Sequence, residues 1–152
     1  MSAQFIAPIV ARTLSVLRKY TPGTVGTREP FVDFGQQFAG VVQNWPSVYV
    51  MPVRTVHDPE EQNTRHQAHQ VKITIAVSAT EPDLVTDAAM AYMTAVDAAI
   101  AQSDPADWAD AVTAGTVLRV FVQTHDYGPL FQRGGMLARF PELDLLVETE
   151  EL

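Results

Sequence analysis

Side chains suited to burial recur at three- and four-residue steps at the start of the chain. Ile6, Ile9, Val10, Thr13, Leu14 and Leu17 fall on one side of a helix, with Arg12, Ser15 and Lys19 off it. Thr21-Pro22-Gly23 is expected to end this helix, because proline lacks a backbone donor and glycine accepts a left-handed turn. From there to about Pro46 no period is visible, and the stretch reads as a long, partly packed loop pinned by Phe31, Phe34, Phe38 and Trp45. Val48 to Val53 is short, β-branched and aromatic, with Pro52 suggesting a sheet edge. The polar run from Arg54 to Gln70 reads as an exposed hairpin arm or flexible loop.

The clearest strand follows. Val71, Ile73, Ile75 and Val77 alternate with Lys72, Thr74, Ala76 and Ser78, the two-residue period of a sheet with one buried face. Thr80-Glu81-Pro82-Asp83 then reads as a helix start with Thr80 as candidate N-cap, and the helix runs to about Gln102. Val85, Ala89, Tyr92, Val96 and Ile100 share its inner face, beside Ala88, Ala95 and Ala99, opposite Asp83, Asp87, Thr94 and Asp97. A turn-rich link, Ser103 to Gly115, leads to two more strands, Thr116 to Thr124 and Ala138 to Thr149. Their inner faces are expected to hold Leu118, Val120 and Val122, and Leu143, Leu145 and Val147.

The expected fold is α+β over one domain, residues 1–152, in the order α-β-β-α-β-β. Two amphipathic helices would cover one face of an antiparallel or mixed four-stranded sheet. The other face would carry Lys72, Thr74, Arg119, Phe121, Asp144 and Glu148 and would meet water or another subunit.

Composition narrows the function classes. Ten Lys and Arg against eighteen Asp and Glu give 10 − 18 = −8, which disfavours ordinary binding to nucleic-acid phosphates. The absence of cysteine excludes disulfides, thiolate nucleophiles and cysteine-based metal sites. Residues 1–20 do not have the layout of a signal peptide, and no run approaches the roughly 20 apolar residues of a membrane span. The expectation is a soluble protein made in the cytoplasm.

No motif compels a reaction. His66 and His69 stand three apart where a strand is entered, so they point to opposite faces, and the adjacent pairs His57-Asp58 and His125-Asp126 diverge in extended chain. Gly23-Thr24-Val25-Gly26-Thr27 lacks the lysine and the following helix of a phosphate loop. There is no Gly-x-Ser-x-Gly elbow, and Glu60-Glu61 and Glu150-Glu151 read as solvated pairs. The reading is therefore a non-enzyme without cofactor or metal. Two segments suit protein contacts. One is the loop from Asp126 to Met136, with Tyr127, Leu130, Phe131 and Arg133; the other is the arm bearing Arg54, His57, Asp58 and Arg65.

Three segments together resemble the tail terminator family of long-tailed bacteriophages, also called tail completion or minor tail proteins. They are the amphipathic helix Phe5 to Leu17, the strand and helix VKITIAVSATEPDLVTDAAMAYMTAVDAAI, and the terminal hairpin VLRVFVQTHDYGPLFQRGGMLARFPELDLLVETEE with its Asp126-Tyr127-Gly128 turn. The resemblance implies a homo-oligomeric ring, usually a hexamer, located in the tail or neck of the virion and assembled in the host cytoplasm. Such a ring caps the tail tube, stops its polymerisation and meets the head completion protein, while DNA passes through without specific binding. A closed ring needs two unlike complementary patches on each subunit, for which the arm and the loop are the candidates. Asp144 and Glu148 are the candidates for an acidic channel lining. The alternatives are a head completion or connector protein and, in another class, a small metal-dependent hydrolase using His57, His66, His69 or His125.

Overall fold

The computed structural model describes residues 6–36, 42, 44–57, 65–109, 111 and 115–151. Two α-helices, α1 (Ala7–Thr24) and α2 (Pro82–Gln102), lie against seven strands. The strands are β1 (Asp33–Gly35), β2 (Ser47–His57), β3 (Arg65–Ala79), β4 (Gly115–Asp126), β5 (Leu130–Arg133), β6 (Met136–Arg139) and β7 (Glu142–Glu151). The class is α+β, but the expected four strands and the order α-β-β-α-β-β are overturned. The order is α-β-β-β-α-β-β-β-β, and the sheet is mixed because β1 runs parallel to β2. Two effects produced the difference. β1 has three residues, too few to display a period. The stretch read as one terminal hairpin is broken into β4, β5, β6 and β7 by a bend at residues 127–129 and 140–141.

β3 is the spine of the sheet. It is antiparallel to β2 from Gln67 to Ala76 on one side and to β7 from Arg65 to Thr74 on the other. Beyond β7 it pairs with β6 through Val77–Ala79, and Ile75 N–H donates to Pro141 O (2.8 Å) between the two segments. The polar run expected as an exposed hairpin arm or flexible loop is largely paired strand: β2 continues to His57 and β3 begins at Arg65. Cross-strand hydrogen bonds held these residues extended where their side chains carried no apolar period.

Val71, Ile73, Ile75 and Val77 of β3, Val48 and Val50 of β2, and Leu143, Leu145 and Val147 of β7 are all buried in one core with both helices. At roughly 1.5–3 kcal/mol for each large aliphatic side chain buried, this row outweighs the surface ion pairs described below. In β4 the inward residues are Val117, Val120 and Val122, whereas Leu118 is 50% exposed. β-bulges between Val117 and Arg119 and between Val122 and Thr124 each insert one residue and reset the alternation. Leu118, expected inside by simple counting, is thus turned out.

The helices depart from expectation at their ends. α1 continues through Pro22 to Thr24, whose hydroxyl bonds Thr21 O and Ala95 O of α2. Pro22 stands in the last turn on the exposed side, where the missing N–H costs little. α2 is capped at Glu81, not Thr80, without a side-chain bond. Its length and composition reach those of a membrane-crossing helix, but Val85, Ala89, Val96 and Ala99 lie in the core against the sheet. Between α2 and β4 a 3-10 turn, Pro105–Trp108, carries a capping box from Asp104. Asp107 in that turn binds Lys19 Nζ (2.8 Å) and Tyr20 Oη (2.7 Å) of α1. These contacts hold its carboxyl well below the usual carboxylate range, with the Lys19 hydrogen bond the largest cause. Of the residues expected to pin the early loop, Phe31 is buried against Tyr92 (5.0 Å) and Phe34 (6.0 Å), and Trp45 meets Phe140 (5.9 Å). Phe38 lies outside the described residues.

The bend after β4 depends on Gly128, at φ +72°, where a Cβ would sit 2.6 Å from Phe140 O. Its N–H donates to Asp126 Oδ1 (2.9 Å) and its carbonyl accepts from Arg139 Nη1 (2.7 Å). Gly128→Ala is expected to destabilise the fold by about 1–3 kcal/mol in urea unfolding. Gly23→Ala, in α1 with open space around the site, should be neutral or stabilising by up to about 1 kcal/mol. Equal midpoints for the two variants would remove the argument for the bend.

Candidate interaction surface

Strand register places Lys72, Thr74, Arg119, Phe121, Asp144 and Glu148 together on the face turned away from the helices, as the alternation implied. Thr74 is nevertheless buried, with 1% exposure. Across the rows, Lys72 Nζ meets Glu142 Oε2 at 3.4 Å, Thr124 Oγ1 donates to Asp144 Oδ2 at 2.7 Å, and Arg119 Nε meets Glu148 Oε2 at 3.5 Å. The Arg119 guanidinium also lies 4.2 Å from the Phe121 ring centre. Asp144 and Glu148 are therefore locally engaged, and an acidic wall repels phosphate most where its carboxylates are uncompensated. Exposed ion pairs such as these contribute about 0–1 kcal/mol each; they set the surface pattern and not the fold.

A groove of about 580 Å³ on this face is lined by Arg54, Lys72, Thr124, His125, Tyr127 and Asp144, among others. A second, of about 450 Å³, lies near the Arg65 end of β3 and includes Val56, His57, His66, Ala68, Leu118 and Glu148. Val56 (55% exposed) was passed over in the sequence, and Leu118 (50%) was expected inside. The polar character of the arm hid Val56, and the β4 bulge turned Leu118 out.

The arm residues are divided among separate places. Arg54 and His57 are on β2, and Arg65 opens β3; Asp58 and the Arg65 side chain lie outside the described residues. The other expected contact segment is largely not a loop. Leu130, Phe131 and Arg133 form β5, paired with β6 through a two-residue turn in which Gly134 (φ 59°) and Gly135 (φ 81°) both have positive φ. Tyr127, Leu130, Phe131 and Met136 are 41–54% exposed, and Phe131 packs edge-on to Phe140 (5.6 Å). The Arg133 side chain is also outside the described residues.

His57 and His66 line the same groove, but no group of three or more His, Cys, Asp or Glu suited to a metal occurs among the described residues. His66 Nε2 meets Glu150 Oε2 (3.5 Å), and His125 Nε2 meets Asp97 Oδ2 of α2 (2.7 Å). His69 faces the opposite way from His66 and is 1% exposed. It bridges three strands: Nδ1 lies 3.0 Å from Thr55 Oγ1 on β2, and Nε2 lies 3.1 Å from Thr149 Oγ1 on β7. Each hydroxyl can donate or accept, so a neutral ring is satisfied at both nitrogens. The signal was present in the sequence: Gln67 and His69 continue the inward phase of Val71, but their polarity conceals the strand.

No family model matches the sequence, and no curated protein matches it. Among solved structures, the chain is similar to one from the virion of a native gene transfer agent particle, with 15% identity and a TM-score of 0.57 over 98% of this chain and 99% of that one. The likeness is one of fold.

Burial, with a smaller contribution from His57, pushes the His69 pKa down from 6.5 to about 4. The unfolded chain therefore takes up a proton that the folded chain refuses. This contribution to stability is complete above about pH 6.5 and is lost as pH falls from there through 4. His69→Gln, which keeps a donor and an acceptor without titrating, is expected to flatten the stability profile across that window in denaturant titrations. An unchanged slope would assign the pH dependence to other groups.

Proposed function

We propose that this chain is a structural protein of a phage-like virion, acting there as the tail terminator. One observation carries the proposal: nearly end-to-end likeness of fold to a chain of a gene transfer agent virion. The exposed aromatic ribbon and the polar, helix-free sheet face support it, since both suit protein contact and neither resembles an enclosed catalytic cleft. In this reading copies of the chain form a ring, hexameric as in the family it resembles, on the head-proximal end of the tail tube. The ring halts addition of tube protein and presents a surface to the head completion protein. DNA crosses its opening without specific binding, consistent with a net charge of −8.

Deleting the gene is expected to yield tubes of uncontrolled length and DNA-filled heads that lack tails, seen by negative-stain electron microscopy. Mass spectrometry of purified particles, with immunogold labelling, should place the chain at the head-proximal tail end. Recovery from tailless heads would favour a head completion protein instead, and absence from particles would remove the virion reading.

A further inference from the structure

Of the ten exposed large apolar side chains among the described residues, six lie near the two ends of β3, the others being Val32, Val53, Leu84 and Met90. At the Ala79 end, the β5–β6 ribbon and its approach expose Tyr127, Leu130, Phe131 and Met136. Phe131 and Met136 project from one side of the ribbon and Leu130 from the other, as their pairing requires. At the Arg65 end, Val56 and Leu118 are the exposed apolar members of the 450 Å³ groove, with Ala68 and Glu148 also in its lining. From Ala68 to Ser78 along β3 is roughly 33 Å at 3.3 Å per residue, so one chain cannot lay its own ribbon in its own groove.

Charge distinguishes the two ends as well. Residues 127–141 contain Arg133 and Arg139 and no acidic residue, in a chain whose overall charge is −8. β7 contains five acidic residues and no basic one, and at the groove end Glu148 lies against Arg119 and Glu150 against His66. Ribbon against ribbon would oppose like positive charges, whereas the groove end offers the carboxylates of Glu148 and Glu150. Ribbon against groove joins opposite charges and covers both apolar patches.

We propose that the β5–β6 ribbon of one copy docks in the Val56–Leu118 groove of the next. The interface is unlike-to-unlike, so repetition generates a ring when the rotation closes and a filament when it does not. The choice of a second copy as occupant rests on the reading of the chain as a self-assembling virion protein. Phe131 is the apolar anchor on the ribbon side, and Val56 and Leu118 receive it.

The test uses the full chain in sedimentation velocity with Phe131→Asp, Val56→Asp and, as a second groove variant, Leu118→Asp. All three sites are exposed, so circular dichroism and melting should match the wild type. The wild type is expected to form oligomers, and each variant alone to associate more than about tenfold more weakly. An equimolar mixture of Phe131→Asp with either groove variant retains one intact ribbon and one intact groove, and should form a one-to-one dimer that grows no further.

Both groove variants assembling like the wild type, a mixture that stays monomeric, or a wild type that is monomeric throughout would each overturn the interface. Loss of assembly in Phe131→Asp alone, with both groove variants unaffected, would instead indicate like-to-like pairing of ribbons and would also overturn it. The virion reading fails separately, by absence of the chain from purified particles. A capped dimer in the mixture would still stand in that case.

Discussion

The register of β3 between its neighbours is the constraint on which the remaining structure depends. β3 hydrogen-bonds to β2 on one side and to β7, then β6, on the other, so a one-residue slip would turn its whole apolar row away from the helices. Val71, Ile73, Ile75 and Val77 are each no more than 2% exposed, which makes such a slip costly. α2 gains its place from the same row: its alanines allow close approach, and Val85, Val96 and Ile100 complete the layer. The polar end of β3 is held to this register by the same ladders, and there His69 is bonded to threonines on both neighbouring strands.

With β3 in place, the surfaces follow from local departures from regular strand. The first β4 bulge resets the alternation so that Val117 and Val120 both turn inward and Leu118 turns out. The bend at Gly128 separates β5 and β6 from the long β4–β7 pair and brings them beside the far end of β3. An apolar groove and an aromatic ribbon thus arise near opposite ends of one spine. Neither needs a loop of special chemistry; each needs one residue too many, or one glycine at positive φ, at a defined point.

The charged residues act in this frame as pattern and not as cement. Lys72 and Arg119 each face a carboxylate of β7, at 3.4 and 3.5 Å. Pairs this exposed add little stability, but they distribute an acidic strand and a basic ribbon to different parts of the molecule. Protein surfaces that differ in sign discriminate among orientations of approach more than they add affinity. This is a suitable property for a chain read as a subunit that repeats one contact around a ring.

Much of the fold was legible in the residues alone. α1, α2, the inward row of β3 and the helix-free face bearing Lys72, Arg119, Asp144 and Glu148 followed from periodicity, because burial of one face imposes a period of 3.6 or 2 on the residues that supply it. The opposite facing of His66 and His69 was also legible, since three steps along a strand reverse a side chain. Where stability comes from pairing with distant strands, no local period records it: β1 is too short, the arm around His57 and His69 is polar, and the phase change at Leu118 is set by its partners on β7. The sequence by itself thus determined which residues seek the core and that the class is α+β. The tertiary structure alone decided that seven strands form, where the bend falls, and that Val56 and Leu118 share a groove, because register and bulges are agreements between segments far apart in the chain.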